Sequence, residues 1–316
     1  MLLRSLQDRG LKVHRALAIA VMLACSGCGL LGLGRRLAGL ELNLMTFNIR
    51  YGTAEDGPNS WSHRRELVFQ VLEKNDADVV GLQEALHFQL QEICQALPRY
   101  GYVGVGRDDG AEAGEYAALL YRKDRFAVEE SGAFWFSDTP EVPGSTSWGN
   151  ELPRICTWAR LRHPGKGVAF YVFNLHLDHV SQRSRERSVQ LLAERIGTRS
   201  STAPVFVMGD LNAGPRNPVV AFLKGSAKLA LGDGKVANNP LPLVDTYSAI
   251  HADTSAIGTF HGFTGDRSGA KIDYIFAAPS VKVRGAHIDY TNAGGRYPSD
   301  HFPVTARVVV PAAGMR

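Results

Sequence analysis

One local event recurs along this chain and constrains its fold more than any other feature: a short apolar run stops abruptly at a carboxylate, a carboxamide or an imidazole. Residues 45–48 end in Asn48, 79–84 in Glu84, 173–176 in His176, and 205–212 in Asp210 and Asn212. Residues 271–276 carry Asp273 inside an apolar run, and Ser299-Asp300-His301 opens another. Short apolar runs bounded by turn residues read as buried strands. A single polar residue at such an end is ordinarily a turn former or helix cap. Asp273, set between Ile272 and Tyr274-Ile275-Phe276, does not fit that reading, because an unpaired buried charge is costly. Six such segments imply a packed pair of sheets whose strand ends converge on one rim.

The remaining pattern agrees with packed sheets. Strands are expected over 40–49, 78–84, 100–106, 116–121, 126–131, 155–162, 168–176, 204–209, 272–277 and 302–310. Helices are expected over 61–75, capped by Ser60 or Ser62, over 85–97 and over 184–198. Residues 137–153 and 225–242 read as surface loops. Cys94 continues the apolar stripe of Leu86, Leu90, Ile93 and Leu97, so Cys94 and Cys156 are expected as core thiols, although a disulfide between them is compatible with the sequence. With 316 residues, 45% of them hydrophobic, the chain can bury a large core.

Residues 1–36 differ from the rest. They hold Arg4, Arg9, Lys12, Arg15, Arg35 and Arg36 against Asp8, so they supply +5 of a net charge of +4 and the remainder sums to −1. After Arg15 an uncharged run extends from Ala16 to Gly34, strongly apolar at first, and contains Cys25-Ser26-Gly27-Cys28. This reads as an export signal, with Cys25 or Cys28 as a lipid-attachment point, or as an uncleaved anchor. The body is therefore expected outside the cytoplasm, periplasmic or extracellular, touching membrane only through this segment. A nearly neutral body argues against gripping duplex DNA mainly by charge.

In chain order, Phe47-Asn48-Ile49, Gln83-Glu84, Asn174-Leu175-His176-Leu177-Asp178, Gly209-Asp210-Leu211-Asn212, Ile272-Asp273-Tyr274 and Ser299-Asp300-His301 resemble the motifs of the endonuclease/exonuclease/phosphatase superfamily. That superfamily includes deoxyribonucleases, abasic-site endonucleases, deadenylases, inositol polyphosphate 5-phosphatases and neutral sphingomyelinases. The resemblance covers about 42–310. It implies an α+β fold, a four-layer α/β/β/α sandwich of two mixed β-sheets flanked by helices, as one catalytic domain over 37–316. It also implies a divalent-metal-dependent hydrolase of phosphate esters that activates water directly, without a protein nucleophile.

Carried over residue by residue, the resemblance makes Glu84 the principal metal ligand, with Asn48 and Asp300 near the ion, Asn48 through water. Hard carboxylate oxygens suit Mg²⁺, for which Mn²⁺ can substitute; no Cys/His cluster has zinc spacing. Asp210 is expected to position and deprotonate the water. Asn212, two residues on along an extended segment, would assist it. His301 is the other candidate base or phosphate contact, with Asp273 accepting its ring proton. His176 would bind the scissile phosphate or protonate the leaving group. Arg154 is a candidate phosphate contact, the plain alternative being a surface salt bridge. Tyr116 is a second candidate by analogy with the family's nucleases, the alternative being a core strand residue. Glu115 could orient His176.

The substrate is less constrained. Phe134, Trp135, Phe136 and Trp148, and a second group of Phe260, His261 and Phe263, could stack exposed bases, dip into lipid headgroups or pack beneath loops. A nucleic acid or nucleotide phosphodiester is favoured, with a phospholipid or sphingolipid headgroup and an inositol-phosphate-type monoester as alternatives. The enzyme is expected to be a monomer. A catalytically silent binding module would be expected to lack Glu84, Asp210 or His301, and all three are present.

Overall fold

The computed structural model describes residues 39–312 apart from 233–234 and 253–255. The basic and apolar segment with Cys25 and Cys28 lies outside the described residues. The first strand, β1 (Leu40–Asn48), alternates buried and exposed at its start and is buried at every position from Leu44 onward. A strand with that pattern runs from the surface into the centre and delivers its last residue, Asn48, there. Helix α1 (Trp61–Asn75) starts at Ser60 and stops where Asp76 turns left-handed. The wholly buried β2 (Val79–Gln83) follows, then α2 (His87–Ala96), β3 (Tyr100–Val103), β4 (Leu119–Arg122) and β5 (Ala127–Trp135). Next come β6 (Ile155–His163), β7 (Val168–His176), α3 (Gln182–Gly197), β8 (Val205–Asp210) and α4 (Pro218–Leu223). The described chain closes with β9 (Leu229–Gly232), β10 (Lys235–Ala237), β11 (Val244–Asp245), β12 (Asp273–Ala277), β13 (Lys282–Ile288) and β14 (Val304–Val310).

Two mixed six-stranded sheets result, ordered β13-β14-β1-β2-β4-β3 and β11-β12-β8-β7-β6-β5. Each has one parallel pair, β1 with β2 and β7 with β8. Three apolar clusters define four layers. Leu42, Leu44, Phe170, Val172, Phe206, Met208 and Ile275 fill the space between the sheets. Met45, Phe47, Val80 and Leu82 meet Val68, Val71, Leu90 and Ile93 of α1 and α2 on one outer face. Phe173, Leu175 and Val207 meet Val189, Leu192, Ile196 and Phe222 of α3 and α4 on the other. The expected sandwich is the observed one.

The sheets are also joined by polar bonds near the rim. Gln83 Nε2 donates to Asn174 Oδ1 at 2.6 Å, and Asn174 Nδ2 donates to the carbonyls of Leu82 and Ala118 at 2.8 Å each. A Cβ at Gly81 would lie 2.6 Å from Asn174 Oδ1, so this inter-sheet contact requires glycine there. Leaving one of these buried groups unpaired would cost about 1–3 kcal/mol.

One expectation needs correction, and two elements, β13 and α4, were not expected. The stretch 225–242 is not simply a loop, because β9 and β10 pair within it. Strand β13 was not expected: it lies at a sheet edge, exposes Lys282 and His287, and has a register shift between Val283 and Gly285 that breaks the alternation. Charges and bulges on edge strands are common devices against edge-to-edge pairing, and they also hide the period. Helix α4 begins with Pro218 after an Asn217 side-chain cap. Cys94 and Cys156 are free thiols, Cys156 buried and Cys94 half-buried.

Candidate active site

The C-terminal ends of β1 and β2 lie side by side, with Asn48 paired in register with Gln83 and Glu84 just beyond. In the other sheet His176 pairs with Asp210, and Asp210 with Asp273. The two rims face each other. Asn48 links them: its Nδ2 donates to Glu84 Oε1 at 2.9 Å and to Asp210 Oδ2 at 3.2 Å, while its Oδ1 accepts from the Arg50 amide at 3.0 Å. A cleft of about 420 Å³ opens here, lined on its acidic side by Arg50, Tyr51, Glu84 and Asp300 and on its basic side by Arg107, Arg154, His176 and His179. Asp210, Asn212 and His301 also line it, with Leu152 and Phe260 as exposed apolar residues.

Asp210 is the hub. Its Oδ1 accepts the Asn212 amide at 2.8 Å. Its Oδ2 lies 3.6 Å from His176 Nε2 and 3.7 Å from His301 Nε2. Burial, reinforced by the neighbouring Asp273 carboxylate, pushes the Asp210 carboxyl up to about 7, against the pull of His301. Behind His301, Asp273 Oδ2 lies 3.0 Å from Nδ1. Burial opposes charge on this ring, but Asp273, Asp210 and Asp300 outweigh it and push His301 up to about 10. His301 is thus an imidazolium between carboxylates. His176 is the reverse: burial, then the Arg154 and Arg107 charges, hold it well below the ordinary histidine value. This neutral ring has Asn212 Nδ2 at 3.1 Å from its Nε2.

The backbone around these groups is specialised. Gly209, at φ 141°, precedes Asp210, and a Cβ on it would lie 1.9 Å from the Leu175 carbonyl oxygen. Glu84 and Asn212 are left-handed, at φ 60° and 47°, a region non-glycine residues occupy at a cost. Asn212 therefore does not point along an extended segment beside Asp210. The chain reverses there, so that its amide reaches Asp210 and its Nδ2 reaches the Leu177 carbonyl and His176.

Other expected residues fall in three groups. Glu84, Asp300 and Arg154 are in the cleft wall. Arg154 is 3% exposed and donates from Nε to Asp178 at 3.3 Å and from Nη2 to His179 Nδ1 at 2.8 Å, so the alternative of a surface salt bridge does not hold. Tyr116 does not line the cleft: its hydroxyl donates to the Ala111 carbonyl at 2.8 Å and meets His87 Nδ1 at 3.1 Å. Glu115 also lines the cleft, held there by two bonds from Arg107, at 2.6 and 2.8 Å, rather than by a bond to His176. Phe134, Trp135 and Phe136 are buried and offer no stacking face. Phe260 is exposed and packs against the His301 ring, centroids 5.1 Å apart. Arg50 and Arg107 were missed. Neither belongs to an apolar run, so the strand-end signal could not find them.

Among the described residues, two donor sets in the cleft could hold a metal ion. Asp210, Asp273 and His301 offer ligand atoms all within 4.8 Å of one another. Glu84 and Asp300 offer carboxylates on the cleft wall: Glu84 accepts one bond on each oxygen, Oε2 from the Tyr51 amide at 3.3 Å, and Asp300 Oδ2 is paired, among the described residues, with Arg50 Nε alone, at 3.9 Å.

A family model described as "Endonuclease/Exonuclease/phosphatase family" matches residues 45–301. The structure of the endonuclease/exonuclease/phosphatase from Bacteroides vulgatus is 33% identical, with a TM-score of 0.77 over 86% of this chain and 99% of that one. The mannosyl-6-phosphatase of Bacteroides thetaiotaomicron is 32% identical, with a TM-score of 0.74 over 85% and 99%. Among curated proteins, an uncharacterized protein of Acanthamoeba polyphaga mimivirus is 28% identical over 54% of this chain, which spans 66% of that relative's length.

Proposed function

The chain belongs to the endonuclease/exonuclease/phosphatase family, and from that premise we propose that it hydrolyses a phosphate ester with the help of Mg²⁺, using water as the nucleophile. The observation that carries this reading is Asp210, placed 3.6–3.7 Å from two imidazoles of opposite charge preference at the floor of one cleft.

Of the two donor sets, Glu84 with Asp300 suits the ion better. Asp273 Oδ2 is already paired with His301 Nδ1, although Asp273 Oδ1 is buried without a hydrogen-bond partner among the described residues, and an imidazolium at the centre of that trio would repel a dication. Glu84 and Asp300 are hard oxygen donors with lone pairs to spare, which is what Mg²⁺ requires. Once bound there, the ion would polarise a phosphate oxygen and stabilise the leaving oxygen. Asn48 would hold Glu84 and Asp210 in register across the two sheets. Ionised Asp210 takes a proton from the water as the water oxygen bonds to phosphorus and the P–O bond to the leaving group breaks, the leaving oxygen taking up a proton from bulk water. Asn212 orients that water. His301, held cationic by Asp273, stabilises charge on the phosphate oxygens. His176 and Arg154 receive the phosphate on the basic side.

The sequence favoured a nucleic acid or nucleotide diester. A small monoester, such as a sugar phosphate, is better supported as the substrate. The body carries no net positive charge, and the aromatic run 134–136 that could have stacked bases is buried. A relative of 32% identity is a mannosyl-6-phosphatase. The basic and apolar N-terminal residues support export of this activity, with Cys25 or Cys28 as the tether. The test is a parallel panel of p-nitrophenyl phosphate, mannose 6-phosphate, bis(p-nitrophenyl) phosphate, single-stranded DNA, RNA and sphingomyelin, each with Mg²⁺, Mn²⁺ or EDTA. EDTA-sensitive release of phosphate from the monoesters is expected. If folded protein hydrolyses none of the six, the reading is refuted; preference for the polymers would refute only the choice of ester.

A further inference from the structure

We propose that Arg64, a residue of no motif and outside the cleft, is the positioning residue that aims Glu84 and Asp300 at their cation. The inference rests on the metal reading of those two carboxylates.

Arg64 lies in the first turns of α1 and is 2% exposed. A buried guanidinium normally has a carboxylate partner, since an unpaired buried charge is costly. Among the described residues Arg64 has no ion pair. All its hydrogen bonds go to backbone carbonyls: Nη1 to Ile49 at 2.6 Å and to Pro298 at 2.9 Å, Nη2 to Arg50 at 2.8 Å, and Nε to Asn59 at 2.9 Å. Ile49 and Arg50 follow the end of β1, and Pro298 begins the approach to β14. One planar fork therefore fastens two segments more than 230 residues apart in sequence.

Each fastened segment carries part of the acidic wall. Arg50 is left-handed, at φ 56°, a strained setting that persists only when its surroundings fix it. Its carbonyl is fixed by Arg64 and by Gln89 Nε2 at 3.1 Å. With the turn so set, the Arg50 amide meets Asn48 Oδ1 and the Tyr51 amide meets Glu84 Oε2. On the other segment, Ser299 Oγ donates to the Asn48 carbonyl at 2.7 Å and lies 3.1 Å from Asp300 Oδ1. The positive charge of Arg64 also acts on Asp300, Asp56 and Glu84 from behind. Lysine would keep the charge but could not bridge carbonyls in three directions.

The test uses the full-length chain without substrate. Mn²⁺ affinity is measured by calorimetry for the unsubstituted protein, Arg64→Lys and Arg64→Ala, with thermal unfolding alongside. Both variants should bind Mn²⁺ about 10–100-fold more weakly, the range seen when groups that orient metal ligands are removed. Millimolar guanidinium should restore part of the affinity of Arg64→Ala. Val71→Ala, which removes packing from the same helix, should lower the unfolding temperature and leave Mn²⁺ affinity unchanged. A folded Arg64→Lys with unsubstituted affinity overturns the inference, as does a loss of affinity in Val71→Ala that matches its loss of stability. If Arg64→Ala does not fold, Arg64→Lys decides. Should the unsubstituted protein bind no Mn²⁺, the metal reading itself falls and this inference with it.

Discussion

Replacing Asp273 with asparagine separates the charge of this residue from its shape. In the native site Asp273 Oδ2 sits 3.0 Å from His301 Nδ1, and both residues are almost fully buried. The rise of His301 from the ordinary 6.5 up to about 10 corresponds to about 5 kcal/mol of preference for the cation. Asp273 is the first of the raising influences, acting both through space and through the hydrogen bond. Asparagine fills the same space but leaves burial as the largest influence on the ring, so His301 should be neutral at pH 7. Asp210 and Asp300 still act on the ring, so somewhat less than the full preference is lost. A loss of about 10³-fold in kcat/KM is expected if that charge acts in the transition state. The substitution has a second consequence. Catalysis needs ionised Asp210, so the native rate should climb as pH rises through about 7 and fall as His301 loses its proton near 10. In Asp273→Asn the carboxylate that raises Asp210 and the His301 charge that lowers it are lost together, so the change to read is in the alkaline limb, which should move down from near 10. The assay is kcat/KM from pH 5 to 10 at saturating Mg²⁺, with unfolding curves to confirm the fold. Activity within fivefold of native across that range, or an alkaline limb that stays near 10, would refute the reasoning.

Two further outcomes follow from the same geometry. Asp210→Asn should lower turnover by about 10²–10⁴-fold, the usual worth of a general base, while Mn²⁺ affinity stays within about threefold; near-native turnover would remove Asp210 from its role. Lys271 is buried against Asp245, Nζ to Oδ1 3.6 Å, and burial lowers it to about 8 from 10.5 despite that carboxylate. Its folded value is depressed, so its contribution to stability is present above 10.5 and lost as pH falls through 8. Relative to a Lys271→Met/Asp245→Asn double variant, the native protein should therefore gain about 2 kcal/mol in urea unfolding between pH 7.5 and pH 10; a flat difference would show that Lys271 titrates normally.

The strand-end pattern was legible because it is written in residue types at fixed positions: apolar runs that stop at Asn48, Glu84, His176 and Asp210 suit buried strands ending at a shared polar site and little else. What a given side chain faces was much less legible. Tyr116 and the 134–136 aromatics have the right chemistry beside the right strands, yet the Tyr116 hydroxyl is taken by Ala111 and His87 and the aromatic faces are covered. The fully extended reading of Asn212 failed because β8 ends at Asp210 and the chain turns left-handed two residues later. Arg64 left no signal at all. Its partners are backbone carbonyls, which every residue possesses, so no residue type elsewhere in the chain announces the contact.

Topology explains why the chemistry collects where it does. Antiparallel neighbours point their C-terminal ends in opposite directions, whereas a parallel pair brings two C-terminal ends together. Each sheet has one parallel pair, β1/β2 and β7/β8, and the chain places Asn48, Glu84, His176 and Asp210 at those four ends or one residue beyond. The antiparallel β12 then contributes its first residue, Asp273, directly opposite Asp210. Register is therefore as important to the site as residue identity. A one-residue slip of β8 would turn Asp210 to the opposite face of its sheet, away from Asn48 and both imidazoles, because side chains alternate along a strand. Gly209 opposes such a slip: at φ 141° it packs so close to the Leu175 carbonyl that the next residue in line, Met208 or Asp210, could not occupy its place.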